Sequence, residues 1–296
     1  MKIGKLEVTW TGDPHLGRRF RTGVPLHRIG DREKMQWEQF EREITGAKSD
    51  VHVCMGDIFD SFVVPPEVVL RVAEIYRRAN TDTVHVLIRG NHDVSRNTDR
   101  ASSFDLLREL IGDHVLVVDR EPVVHENLGF VPYDPFEAQP VPEGVDAVFG
   151  HWDVVDFGSH NVIPVGDVPL MITGHDHTPR ELERNGVRII VTGSMQPYSH
   201  GEDPEHKLYI TLPLDEIGQH DLTNMNVRLL LREGEAIPED LDCLSVTAIR
   251  VGDDQEEVEA LEDFEALNLD QLLKQALEDN PVADKVMEFF MENRHA

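Results

Sequence analysis

Seven residues able to ligate metals stand where apolar runs of the chain end. Asp13 and His15 follow residues 6–10, Asp57 follows 51–55, and Asn91 follows 84–88. His151 follows 146–149, and His175 and His177 follow 170–173. Each run reads as a buried strand, and ligands of α/β sheets gather at the carboxyl ends of strands. Carboxylate, amide and imidazole donors without thiolates suit Mn²⁺, Fe or Zn²⁺ better than Ca²⁺. Seven donors are too many for one ion with an open position. They suit two ions about 3.5–4 Å apart that share a carboxylate and clamp a phosphate. Asp57 is the natural bridge. His92, next to Asn91, is placed to protonate a leaving alkoxide, with a carboxylate such as Asp60 to orient it. The chemistry expected is metal-assisted hydrolysis of a phosphate ester.

The motifs differ in weight. A lone Asp-x-His or Gly-His is common loop chemistry. Gly90-Asn91-His92-Asp93 after a strand is specific, and Gly174-His175-x-His177 less so. The five together, in this order, carry the argument. His52 and His85 alternate with valines and are expected to pack inside strands. The other eight histidines are expected in loops or at the surface.

The elements that must position these residues alternate through the first half. Trp37, Phe40 and Ile44 mark one face of a helix across about 31–47, with the aromatics as core. A second helix starts at Pro66, in the favoured first-turn position. A third follows Ser102 or Ser103 as N-cap. Strand and helix in alternation argue for a layered α/β architecture. From 115 to 200 the segments are shorter and more strand-like, which suggests two packed sheets flanked by helices. Segments 207–212, 227–231 and 244–251 read as strands of a small appended unit. Residues 253–265 hold eight acidic side chains and read as a solvated linker or an exposed helix start. Two helical patterns at 268–293 close the chain.

A chain of 296 residues can bury a sizeable core in one or two domains. The start lacks a signal-peptide pattern, and no apolar run is long enough to span a bilayer. Cys54 and Cys243 make neither a disulfide framework nor a zinc–thiolate site. A cytoplasmic setting is expected. The net charge of −28 argues at first against a nucleic-acid partner, but the charge is unevenly spread. Residues 1–110 hold 17 basic and 17 acidic side chains, whereas 201–296 hold 7 basic and 25 acidic, a net of −18. The N-terminal part can therefore meet a polyanion. Arg18, Arg19 and Arg21, just after two candidate ligands, are the expected phosphate contacts.

Asp13-x-His15, Gly56-Asp57-x-x-Asp60, Gly90-Asn91-His92-Asp93, Gly150-His151 and Gly174-His175-x-His177 resemble the motif set of the calcineurin-like metallophosphoesterases. The resemblance implies a four-layer α/β/β/α sandwich with a dinuclear centre. One ion would take Asp13, His15, Asp57 and His177, and the other Asp57, Asn91, His151 and His175. His92 would be the proton donor and Asp60 its partner. Within the family the chain is similar to the SbcD branch, the nuclease subunits of SbcC–SbcD DNA repair complexes and their phage-encoded relatives. That similarity rests on Asp13-Pro14-His15-Leu16-Gly17, on Pro65-Pro66 after the second motif, on Val131-Pro132-Tyr133, and on Gly193-Ser194 with Gly201-Glu202. Pro14 stands where the branch carries Trp.

The branch implies a nuclease domain over 1–205, a cap-like unit over 206–252 and a partner-binding segment over 253–296. It also implies a homodimer, through helices near 31–47 and 66–79, and an SbcC-type ATPase held by the closing helices. The resulting expectation is a Mn²⁺-dependent DNA exo- and endonuclease. A phosphoesterase acting on nucleotides, cyclic nucleotides or phosphoproteins is the alternative, and the acidic charge favours it. A third reading, a non-catalytic scaffold, is opposed by the complete ligand set and His92.

Overall fold

In the computed structural model the described residues are 1–96, 100–154, 162–164 and 166–252. The expected acidic linker, the closing helices and the partner surface assigned to them lie outside these residues, as do His160 and His295. The first sheet holds β1 (Lys2–Ile3), β2 (Leu6–Thr11), β3 (Val51–Cys54), β4 (Val84–Ile88) and β5 (Val115–Val118) in that spatial order. It is parallel from β2 onward. The second holds β6 (Val123–His125), β7 (Leu128–Phe130), β8 (Ala147–His151), β9 (Leu170–Gly174), β10 (Arg180–Arg184) and β11 (Val187–Val191). Their order is β10-β11-β9-β8-β7-β6. The centre is parallel and the two edge strands are antiparallel.

Side-chain alternation explains the layers. Along β3 and the residue after it, Val51, Val53 and Met55 face the second sheet and pack with Phe130, Phe149 and Ile172. Cys54 faces the other way, into the helical layer, with Leu87 of β4 beside it. Both faces of the sheet are buried, so its parallel strands read as nearly continuous apolar runs. His52 and His85 are buried directly opposite each other in register.

Among the described residues, three α-helices cover the first sheet. In α1 (Asp31–Gly46), Asp31 and Glu33 occupy the first turn, where acidic side chains oppose the helix dipole. Trp37, Phe40 and Ile44 turn inward. α2 (Pro66–Arg77) opens with proline at its first position. α3 (Ser103–Ile111) is capped by Ser102, which accepts from the Asp105 amide while Asp105 accepts from the Ser102 amide. Trp37, Phe40, Ile44, Tyr76 and Phe104 form one core with the strands. Each such side chain stabilises by about 2 kcal/mol on burial.

The mixed α/β sandwich is as the sequence implies. Among the described residues, all three α-helices lie on the first sheet. The outer face of the second sheet is covered by Trp152, Ile163 and Val168 from irregular segments. The parallel strands β12 (Tyr209–Pro213), β13 (Asn226–Leu231) and β14 (Ser245–Arg250) form a third sheet with its own small core around Leu229.

Candidate metal centre

Because β2, β3, β4, β8 and β9 are parallel within their sheets, their carboxyl ends gather on one edge. Hydrogen bonds join the strand ends there, within the first sheet and across to the second. The Met55 amide donates to Thr11 O at 3.0 Å, the His15 amide to Asp57 O at 2.9 Å, and the His175 amide to Asp13 Oδ2 at 2.8 Å. These links lock the strand ends into one rim. His15, Asp57 and His175 all have positive φ, at 46, 47 and 76°. A left-handed backbone at a non-glycine residue costs about 1–3 kcal/mol and persists where its surroundings enforce it. Gly90 permits the closest approach, since a Cβ there would land on the amide and carboxylate of Asp57.

Ligand atoms fall into three overlapping groups, each within 4.8 Å: Asp13, His15 and His177; His15, Asp57 and His92; and Asp57, His151 and His175. Asn91 joins the last, its Oδ1 lying 2.8 Å from both His151 Nε2 and His175 Nδ1. All seven expected ligands are thus brought together, and Asp57 belongs to two groups.

Outer contacts set which imidazole nitrogen faces inward. His151 Nδ1 donates to Met55 O at 3.0 Å, and His175 Nε2 donates to Asp153 Oδ1 at 2.7 Å. His177 Nδ1 faces Glu202 Oε2 at 3.4 Å. With the outer nitrogens so engaged, the inner ones turn lone pairs toward the centre, the arrangement by which metal-ligating histidines are held. His177 Nε2 then lies 3.0 Å from His15 Nε2, and His151 Nε2 3.4 Å from Asp57 Oδ1.

The charges point the same way. Asp13 and Asp57 are buried. Burial, and then Asp57, push the Asp13 carboxyl well above the usual carboxylate range. Burial also opposes ionisation of Asp57, but His151, His15 and His92 outweigh it and hold that carboxyl low. Burial pushes His15 down to about 3, so it is a neutral donor. Asp13 Oδ1 and His15 Nδ1 are buried without a hydrogen-bond partner among the described residues. Crowded acceptors, two buried carboxylates and an orphaned oxygen are what a site for divalent cations requires. The residues fit.

Residues 6–179, more than half of the chain, match the calcineurin-like phosphoesterase family. The chain belongs to that family. Comparison with curated proteins gives no match. As a calcineurin-like phosphoesterase, the chain is a metal-dependent hydrolase of phosphoesters, and its metal-capable cluster lies within the matched residues.

Several residues of this phosphoesterase stand differently from the sequence expectation, or were not singled out by it. The Asp60 carboxylate does not orient His92. His92 Nδ1 instead meets the backbone carbonyl of Asp60 at 2.7 Å, and the carboxylate turns to Arg18 Nη1 at 3.4 Å. A carbonyl fixes the ring as well as a carboxylate would, without adding charge. Asp153 was not foreseen. It lies two residues beyond His151 but serves His175, and only the parallel pairing of β8 with β9 brings the two together. Asp93, buried and pushed up to about 7 by burial and then Asp57, accepts from the amides of Gly90, Ile58 and Phe59. It ties the β3 and β4 loops together. Of the three loop arginines, Arg18 lies over the Tyr198 ring at 4.6 Å, while Arg19 and Arg21 are exposed.

Proposed function

We propose that this calcineurin-like phosphoesterase is a DNA nuclease hydrolysing phosphodiesters with two divalent ions, Mn²⁺ in the first instance. One set would be Asp13, His15, Asp57 and His177, the other Asp57, Asn91, His151 and His175. The observation that carries the two-ion reading is Asp57, shared between ligand groups on either side of it. Ions held there would supply Lewis-acid polarisation of the phosphoryl group and an activated water.

The chain's own residues supply the rest. His92 is the rim histidine, 41% exposed, with Nε2 at 4.0 Å from Asp57 Oδ2. Its Nδ1–H is engaged by Asp60 O, so Nε2 is the atom that, in the imidazolium form, carries the second proton and passes it to a leaving alkoxide. The His15 ring, edge-on at 4.7 Å, fixes the other side of that imidazole. DNA as substrate is supported by the arginines of residues 18–21 beside the centre. The acidic cavity formed by Asp153, Asp176 and Glu202 favours the alternative, a smaller phosphoester. In the proposed assembly the chain is a homodimer, with residues 268–293 binding an SbcC-type ATPase. The 1–205, 206–252 and 253–296 division belongs to the same proposal.

Digestion of linear double-stranded DNA in Mn²⁺, with a phosphomonoester run alongside, tests the reading. Cleavage of DNA that falls at least a hundredfold in His92→Ala is expected. Hydrolysis of the monoester alone would replace this reading with the alternative.

A further inference from the structure

A second cavity, of about 310 Å³, opens on the far side of Tyr198 from the metal centre. Tyr198 is the shared wall, its ring centroid 5.2 Å from His15 and 5.6 Å from His177. The other walls are the loop at residues 18–24 and the open face of the third sheet. That loop is tied to the sheet, because the Val246 amide donates to Gly23 O at 2.8 Å and Arg28 pairs with Asp242 at 2.6 Å. The cavity is therefore preformed.

Its charge is the unusual feature. Arg18, Arg19, Arg21, Arg32 and Arg228 line it, five of the 28 basic side chains in a chain of net charge −28. Among the described residues, no Asp or Glu lines it. Arg32 is only 2% exposed. Its guanidinium donates to Gln196 Oε1 and Pro197 O, while Nε has no hydrogen-bond partner among the described residues. Burying a cation among neutral acceptors is unfavourable unless an anion compensates it. Phe20 and Tyr198, stacked at 6.3 Å and 13°, carry Arg18 and Arg32 against their faces. Planar guanidinium forks beside aromatic walls recognise phosphate next to a base.

We propose that this cavity is a subsite for a second phosphate of the substrate strand, one flanking the phosphodiester at the metal centre. The inference rests on the phosphodiester reading above and adds to it what the substrate must carry. The strand's flanking phosphate reaches the arginines while the shared Tyr198 wall separates it from the ions.

Binding of a fluorescent thymidine octanucleotide to the full chain in EDTA, followed by anisotropy over a salt series, reads the subsite without turnover. Arg228→Gln and Arg21→Gln are each expected to weaken binding about tenfold and to lower the salt slope by about 0.7, one phosphate contact on a single strand. Arg21 is exposed, so its variant keeps the test intact where the change inside β13 disturbs folding. In Mn²⁺, the wild type is expected to prefer 5′-phosphorylated thymidine dinucleotide over the same dinucleotide without that phosphate. Both variants should reduce this preference about tenfold. Unchanged slope and preference in both, with DNA still cleaved, would overturn the subsite and leave the nuclease reading standing. The expected binding changes with only monoester hydrolysis would sink the nuclease reading and, with it, the strand assignment of the cavity. Displacement of the octanucleotide by inorganic phosphate of equal affinity would make this a free-anion site and overturn the strand assignment.

Discussion

Asp153→Asn tests how the centre is held, because it removes a charge while keeping an acceptor in place. The Asp153 carboxylate receives the His175 Nε2 proton at 2.7 Å. Burial works to lower the basicity of His175, and this carboxylate outweighs it, leaving the imidazole above its ordinary value. Losing such an outer partner weakens metal binding by about 10–100-fold, or about 1.4–2.7 kcal/mol. Both side chains are about a quarter exposed, at 25% and 26%, so solvent screens part of the charge and the lower end applies to Asn. Asp153→Ala also removes the hydrogen bond and belongs near the upper end. The assay is calorimetric titration of Mn²⁺ into the EDTA-stripped and dialysed full chain. Glu202→Gln is the internal comparison, since its contact with His177 is longer, at 3.4 Å, and its effect should be smaller. Unchanged Mn²⁺ affinity in Asp153→Asn, or a larger loss in Glu202→Gln, would refute the reasoning.

Two further predictions concern the scaffold. Gly90→Ala places a methyl against the Asp57 amide and carboxylate. A loss of about 1–3 kcal/mol, read as a lowered Tm together with reduced Mn²⁺ stoichiometry, is expected; a normal Tm with full metal would contradict the packing. His52 should make stability acid-sensitive. Burial, then His85, push it down to about 3, below its unfolded value of about 6.5. The unfolded chain therefore takes up the proton first as pH falls. The stability is complete above about 6.5 and lost progressively toward 3, about 2 kcal/mol between pH 7 and 5. Urea denaturation in EDTA should show His52→Gln losing correspondingly less over that interval, and equal losses in both proteins would dismiss the role of His52.

What was legible in the sequence follows from what a parallel, doubly buried strand demands. Such a strand is apolar almost throughout, so the change to Asp13, Asp57, Asn91, His151 and His175 at each end stands out. The helix starts were readable for the same local reason, Pro66 and the Ser102 cap being chemical signals within a single turn. β10 escaped notice because it is an edge strand reading Arg-Glu-Leu-Glu-Arg, with only half-buried and exposed positions. β1 and β7 are two and three residues long, too short for any period. The outer partners were hidden by distance along the chain. Asp153 serves a histidine 22 residues away, and Arg32 reaches the Pro197 carbonyl across 165 positions of sequence. The Asp60 contact needed coordinates for another reason, since a backbone carbonyl has no residue-type signature.

The uneven charge also bears on how a substrate can lie. On one side of the centre the accessible space is lined by Asp153, Asp176 and Glu202. Burial opposes ionisation of both Asp176 and Glu202, yet Arg180 holds the first low and His177 the second, so both stay anionic. On the other side, past Tyr198, five arginines face a space with no acidic lining among the described residues. A polyanion whose scissile group sits at Asp57 is repelled along the first path and attracted along the second. On the proposed function, the strand therefore leaves the centre over Tyr198 and the loop at 18–24. A large negative total charge is then no obstacle to a nucleic-acid substrate, because it restricts the strand to one route instead of excluding it. The same field makes ionic strength a stringent variable. Screening lowers the arginine attraction and the acidic repulsion together, so added salt should reduce cleavage of a long strand far more than hydrolysis of a singly charged diester.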